Sequence, residues 1–282
     1  MNVSSVFRRT RKRAAVVGAL TGVAALALSV TASADATTKH HTSEKKPTVV
    51  LVHGAFADSS SWNGVIKRLK QDGYPVVAPA NPLRGLKSDA EYLKAFLKSV
   101  QGPVVLAGHS YGGAVITEAA ENEPNVKALV YIAAFAPDKG ESALELSNKY
   151  PGGTLGPTLN SVPFALPGGG TGSDLYIKAD KFHDQFAADV PHQISDLMAA
   201  TQRPVAATAL EEQATHTAWK AIPSWNLITT QDLNIPAAAQ RFMAQRAHSH
   251  TTEIRASHAV SVSRPGAVTR VIEQAARSTA GH

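Results

Sequence analysis

A short apolar run, Val104 to Ala107, leads directly into Gly108-His109-Ser110-Tyr111-Gly112, and Gly113-Ala114-Val115-Ile116 continues with helical character. The run reads as a buried strand and the continuation as a helix. Almost no residues separate them, so Ser110 must occupy strained backbone while neighbouring chain passes close by. Glycine on both sides meets that demand, because the missing Cβ admits close approach. The form is G-x-S-x-G, a strand, a sharp turn and a helix with serine at the tip. The plainer reading of Ser110 is an ordinary helix cap. The strand before it and the glycines around it favour a nucleophile.

A serine hydroxyl attacks poorly unless a base removes its proton, and the base must itself be oriented by a third group. Asp232 follows a strand read at Trp225 to Thr230, and His258 follows a strand read near Thr251 to Arg255. Both lie beyond the C-terminal ends of strands, where open α/β sheets place their active sites. Asp138, after a strand read at Val126 to Ala134, is the rival acid.

Eleven histidines compete for the role of base. His40, His41 and His282 are terminal, His109 is enclosed by the serine turn, and His183, His192 and His216 fall in an irregular stretch. His248 and His250 form an H-x-H pair without an accompanying carboxylate or cysteine set, and read as solvated surface. His53 comes too early to be the base and is expected to brace its own loop. His258 is the expected base.

The oxyanion formed on attack needs two backbone N–H donors. One is expected from Tyr111, directly after the nucleophile. The other is expected from the turn His53-Gly54-Ala55-Phe56 after the first strand, with the Ala55 N–H best placed and Phe56 the second choice. Phe56 is also expected to bind substrate.

From Pro47 onward, short β-branched runs alternate with helical periodicity, which predicts βαβ units and a mostly parallel sheet flanked by helices. Thr48 to Val52 is the first strand. Trp62, Val65, Ile66 and Leu69 form one face of a helix behind an Asp58 or Ser59 cap. The pattern breaks between about 137 and 222, where glycines interrupt but Phe182, Phe186, Leu197 and Met198 persist. That apolar content predicts an inserted helical lid rather than a plain surface excursion. Regularity resumes with helices opening at Pro236 and Pro265, prolines suited to a first helical turn.

With 282 residues, no cysteine and 44% apolar residues, the chain suits one large α/β domain held by core burial alone. The net charge of +6 comes almost entirely from Arg8, Arg9, Arg11, Lys12 and Arg13, so the body is near neutral and offers no basic face for nucleic acid. Those residues precede an uncharged run from Ala14 to Val30 and the small residues Ala32, Ser33 and Ala34. This order predicts a signal peptide over 1–34, cut after Ala34 with Ala36 as the alternative, then a polar leader over 35–46 and the domain over 47–282. A retained anchor is the competing reading, but the run is shorter than the roughly 20 residues that span a bilayer. The Arg8-Arg9 pair leaves the export route open. The expected location is outside the cell, without stable membrane association after cleavage.

Four segments together, HGAF at His53 to Phe56, GHSYGG at Gly108 to Gly113, D-x-x-I-P at Asp232 to Pro236 and SHA at Ser257 to Ala259, resemble the α/β-hydrolase superfamily. The resemblance is nearest to small secreted bacterial hydrolases and to the plant methylesterase and hydroxynitrile lyase group. It implies Ser110, Asp232 and His258 as a triad, with Ala55 and Tyr111 as oxyanion donors. Hydroxynitrile lyases of this type usually carry threonine where Gly54 stands and lysine where Ala259 stands, so both departures favour an esterase. The expected activity is cleavage of a small or medium carboxylic ester through an acyl-enzyme, with no metal or organic cofactor. A non-hydrolytic lyase and a binding protein on an inactive hydrolase fold are the alternatives.

Overall fold

The computed structural model describes residues 46–279. The predicted signal peptide, its cleavage sites, nearly all of the polar leader and His282 lie outside the described residues.

Six strands form the main sheet: β1 (Thr48–Val52), β2 (Val76–Val77), β3 (Val104–His109), β4 (Val126–Ile132), β8 (Ser224–Thr229) and β9 (His250–Ile254). Their spatial order is β2-β1-β3-β4-β8-β9, and every neighbouring pair is parallel. Parallel strands need crossovers, and the helices α1 (Asn63–Gln71), α2 (Leu86–Leu97), α3 (Tyr111–Ala119) and α8 (Ala237–Arg246) supply most of them, while α10 (Pro265–Ser278) follows the last strand and packs back on the sheet. Both faces of the sheet are therefore covered, and β3 and β8 are buried along their whole length. Alternate residues divide the core. Val49, Leu51, Val105 and Ala107 pack with α1 and α10, while Val50, Val52, Val104 and Leu106 pack towards α2 and α3.

The helix read at Trp62 is preceded by a 3₁₀ turn, Ser59–Trp62, whose cap is Asp58, its side chain accepting from the Ser60 N–H. Pro265 opens α10 as expected, whereas Pro236 is the residue capping α8 rather than lying within its first turn.

The insert between β4 and β8 carries the helices expected of a helical lid, with strands that the expectation did not include. It holds α4 (Ala143–Asn148), α5 (Ala179–Phe186), α6 (His192–Thr201) and α7 (Ala207–Glu211), but also an antiparallel three-stranded sheet. Strands β5 (Leu159–Ala165) and β6 (Thr171–Ile177) form a hairpin, and β7 (Val205–Ala206) adds to β6. The turn is built on Gly168, Gly169 and Gly170, the last two at positive φ. These glycines, read in sequence as interruptions, are what the hairpin reversal requires.

Candidate active site

Ser110 lies between β3 and α3 at φ 54 and ψ −125, a conformation that L-residues rarely adopt. Three backbone hydrogen bonds hold it there: the Ser110 N–H donates to the Ile132 carbonyl at 3.3 Å, and the Ser110 carbonyl accepts from Gly113 at 2.9 Å and Phe135 at 3.1 Å. The glycines are steric necessities. A Cβ on Gly108 would stand 2.4 Å from the Gly112 carbonyl oxygen, and one on Gly112 would stand 2.5 Å from that of Val52.

Beyond the ends of β8 and β9, Asp232 and His258 meet the serine. His258 Nδ1 is 2.7 Å from Asp232 Oδ2, and its Nε2 is 2.8 Å from Ser110 Oγ. A carboxylate only accepts, so Nδ1 carries the proton and Nε2 is left to accept from the serine hydroxyl. Asp232 is itself held from four further directions. Oδ2 accepts from Thr229 Oγ1 at 2.9 Å and Gln240 Nε2 at 3.0 Å, while Oδ1 accepts from the N–H groups of Asn234 at 2.8 Å and Ile235 at 2.9 Å. Gln240 is not legible in the sequence as part of this arrangement, because a glutamine in mid-helix reads as a surface residue. Asp138, the rival acid, turns away and pairs with Lys220 at 2.6 Å on a partly exposed face.

Two N–H groups border the serine without an acceptor among the described residues, those of Ala55 and Tyr111, and both residues line the cavity that Ser110 enters. The second choice of donor is corrected. The Phe56 N–H is committed to the Arg203 carbonyl at 3.0 Å, which removes it from this role. The Phe56 ring does line the cavity.

Buried groups around the site fix these donors in place. His53 Nε2 accepts from the Asn81 N–H at 2.9 Å, which leaves the proton on Nδ1 to donate to the Gly54 carbonyl at 3.0 Å. His53 thus braces the loop, as its position in the sequence suggests. The Tyr111 hydroxyl donates to Asp89 Oδ2 at 2.9 Å, a second contact for which no sequence signal exists. Burial pushes the Asp89 carboxyl above the usual carboxylate range. Phe186 packs its ring against His258 at 5.0 Å in a T-shaped arrangement, and its carbonyl accepts from the Ala259 N–H at 2.9 Å, tying the insert to the segment that bears His258.

His109 lies under His258, its ring centroid 4.7 Å away and its Nε2–H donating to the His258 carbonyl at 2.9 Å. Burial, reinforced by the neighbouring His258, holds its pKa down to about 3. In the unfolded chain the ring titrates near 6.5. Between those values the unfolded state takes up a proton that the folded state refuses, so stability falls as pH drops below about 6.5. His53, lowered by burial, acts in the same direction. From pH 6.5 to 5 the His109 contribution amounts to about 2 kcal/mol. Urea midpoints should fall over that range, and His109→Gln, which keeps an N–H donor but does not titrate, should flatten the fall. An unchanged slope in the variant would show that other groups control acid sensitivity.

The cavity at Ser110 has a volume of about 310 Å³. Its floor is Ala55, Ser110 and Tyr111, and its walls come mostly from the insert, including Leu144, Leu155, Leu159, Leu175 and Leu210. Apolar walls around a serine hydroxyl backed by the His258 imidazole, with two free N–H donors beside it, can bind and attack a carbonyl compound. Among the described residues no group of three His, Asp or Glu side chains is placed to hold a metal ion. His248 sits at positive φ, and His250 stacks on Trp225 at 4.9 Å.

Residues 49–271 match the model of the Alpha/beta hydrolase family, and the chain belongs to that family. The alpha/beta hydrolase nvfD of Aspergillus novofumigatus is 30% identical over 252 residues, spanning 82% of this chain and 97% of that protein. Among solved structures, polyneuridine aldehyde esterase aligns with a TM-score of 0.71 at 19% identity, covering 81% of this chain and 98% of its own. A pyrethroid hydrolase from Sphingobium faniae aligns with a TM-score of 0.66 at 20% identity, covering 84% and 99%.

Proposed function

We propose that the protein is an exported serine esterase that cleaves a small or medium carboxylic ester through an acyl-enzyme. The observation that carries this reading is His258 bridging Ser110 and Asp232 at 2.8 and 2.7 Å, with Ser110 opening on the floor of an apolar cavity. Ser110 Oγ bonds to the ester carbonyl carbon as its proton passes to His258 Nε2. The resulting oxyanion accepts from the Ala55 and Tyr111 N–H groups, and Asp232 stabilises the imidazolium. Collapse breaks the bond to the alcohol oxygen, which takes the proton from His258. Water then attacks the acyl-serine, giving its proton to the same nitrogen, and the acid leaves as Ser110 recovers its hydrogen.

Two positions support hydrolysis over the lyase reading. A Cβ at Gly54 would lie 2.7 Å from both the His109 carbonyl oxygen and Ser110 Cβ, so this backbone leaves no room for threonine. Ala259 is buried, where a lysine ammonium would lose its water. An esterase and a pyrethroid hydrolase among the solved structures of like fold agree with the reading. Export rests on the basic and apolar order of residues 1–34.

The test uses protein collected from the culture medium, where a mature N-terminus at Asp35 or Thr37 is expected. It should hydrolyse p-nitrophenyl esters across an acetate to palmitate series, with an optimum at short or medium acyl length, and a fluorophosphonate should label Ser110. Labelling without ester turnover would discard the esterase reading; retention in the cell would discard export.

A further inference from the structure

A second hollow of about 210 Å³ lies on the far side of Phe56, and among the described residues Phe56 alone lines both it and the cavity at Ser110. Ala57, Ile194, Leu197, Met198 and Val262 give it apolar walls, with Asp58, Ser60, Ser61, Thr201 and Gln202 forming the polar part of its lining. Ile194 and Leu197 are 45% and 67% exposed, an unusual pair of apolar side chains to leave in water on one helix.

The chemistry of acyl transfer says which part of a substrate could reach it. The alcohol oxygen must lie on the His258 side of the carbonyl, because His258 Nε2 returns the proton to it. Phe56 is linked to His258 through one ring: it meets Phe186 at 6.4 Å, and Phe186 meets His258 at 5.0 Å. Val262, in the helix α9 (Val260–Ser263) that follows His258, closes the hollow from the same direction. The acyl chain then has the larger cavity, whose lining includes Ser110 and both residues that offer free N–H donors.

We infer that this groove is the leaving-group subsite, that it receives an apolar alcohol moiety, and that the Phe56 ring is the partition deciding how large an alcohol passes. The inference rests on the esterase reading and specifies its substrate as an ester apolar on both sides.

The experiment compares kcat/KM for methyl butyrate and hexyl butyrate, which share an acyl group and differ in the alcohol. Met198→Trp should fill the groove, and Leu197→Trp, at a more exposed position, serves should the first fail to fold. Either should lower the hexyl-to-methyl ratio about tenfold, the effect of excluding two or so methylene groups from apolar contact. The acyl-length optimum on p-nitrophenyl esters should stay at its wild-type position. Phe56→Ala should raise the hexyl-to-methyl ratio. An unmoved ratio in both tryptophan variants overturns the inference, as does a shifted acyl optimum in place of a shifted ratio. No Ser110-dependent turnover of either butyrate by the wild-type protein would instead overturn the esterase reading itself.

Discussion

Ser110→Ala is expected to lower kcat by about a millionfold on any ester that the wild-type protein turns over. The size follows from the connectivity of the site. His258 Nε2 has Ser110 Oγ as its partner at 2.8 Å, and the imidazole and carboxylate act on substrate only through that oxygen. Removing it idles the whole relay, so the losses of the three groups do not add. What survives is binding in the apolar cavity together with the Ala55 and Tyr111 N–H donors, worth about 10³ to 10⁴ over water. The fold should be preserved, since Ser110 is held by its backbone N–H and carbonyl, which alanine retains. Turnover by purified variant, with near-wild-type thermal unfolding as control, checks this. Activity within a hundredfold of wild type would place the nucleophile elsewhere.

The elements of this site differ in how plainly the sequence announces them. The serine turn is legible because its geometry excludes alternatives: Gly108 and Gly112 stand where any Cβ would strike backbone. Asp232 and His258 are legible from order and placement, since each follows a strand of the parallel sheet. The hairpin of β5 and β6 is not, because β5 is mostly exposed, β6 is only partly buried, and neither shows the alternation that marks a half-buried strand. Hydrogen-bond supports are harder still. Gln240 joins Thr229 and Asp232 only because α8 packs against β8, and the Phe56 N–H meets Arg203 only because the insert folds back over the first loop. Such contacts depend on how elements pack, and neither partner has a local reason to be polar or apolar. Pattern therefore finds the three side chains that meet at Ser110, and misses the groups that hold them still.

Asp232→Asn is expected to lower kcat by about 10⁴-fold while leaving the architecture intact. Every neighbour of this carboxylate is a donor: two backbone N–H groups at Oδ1, and Thr229, Gln240 and His258 at Oδ2. An amide must place an NH₂ against one of these sets. The backbone N–H groups of Asn234 and Ile235 cannot turn, so the NH₂ goes to the other side. Gln240 is fixed there by its Oε1, which accepts from the Thr229 N–H at 3.0 Å, whereas the Thr229 hydroxyl can rotate and His258 can move its proton. The imidazole then accepts at Nδ1 and carries hydrogen on Nε2, facing Ser110 with a donor where a base is needed. Fluorophosphonate labelling should slow in parallel with ester turnover, since both require deprotonated Ser110 Oγ. Asp138→Asn, whose parent pairs with Lys220 away from the site, should change turnover less than about twofold, as surface ion pairs contribute little. A severe loss in Asp138→Asn with near-normal turnover in Asp232→Asn would reassign the acid to the end of β4.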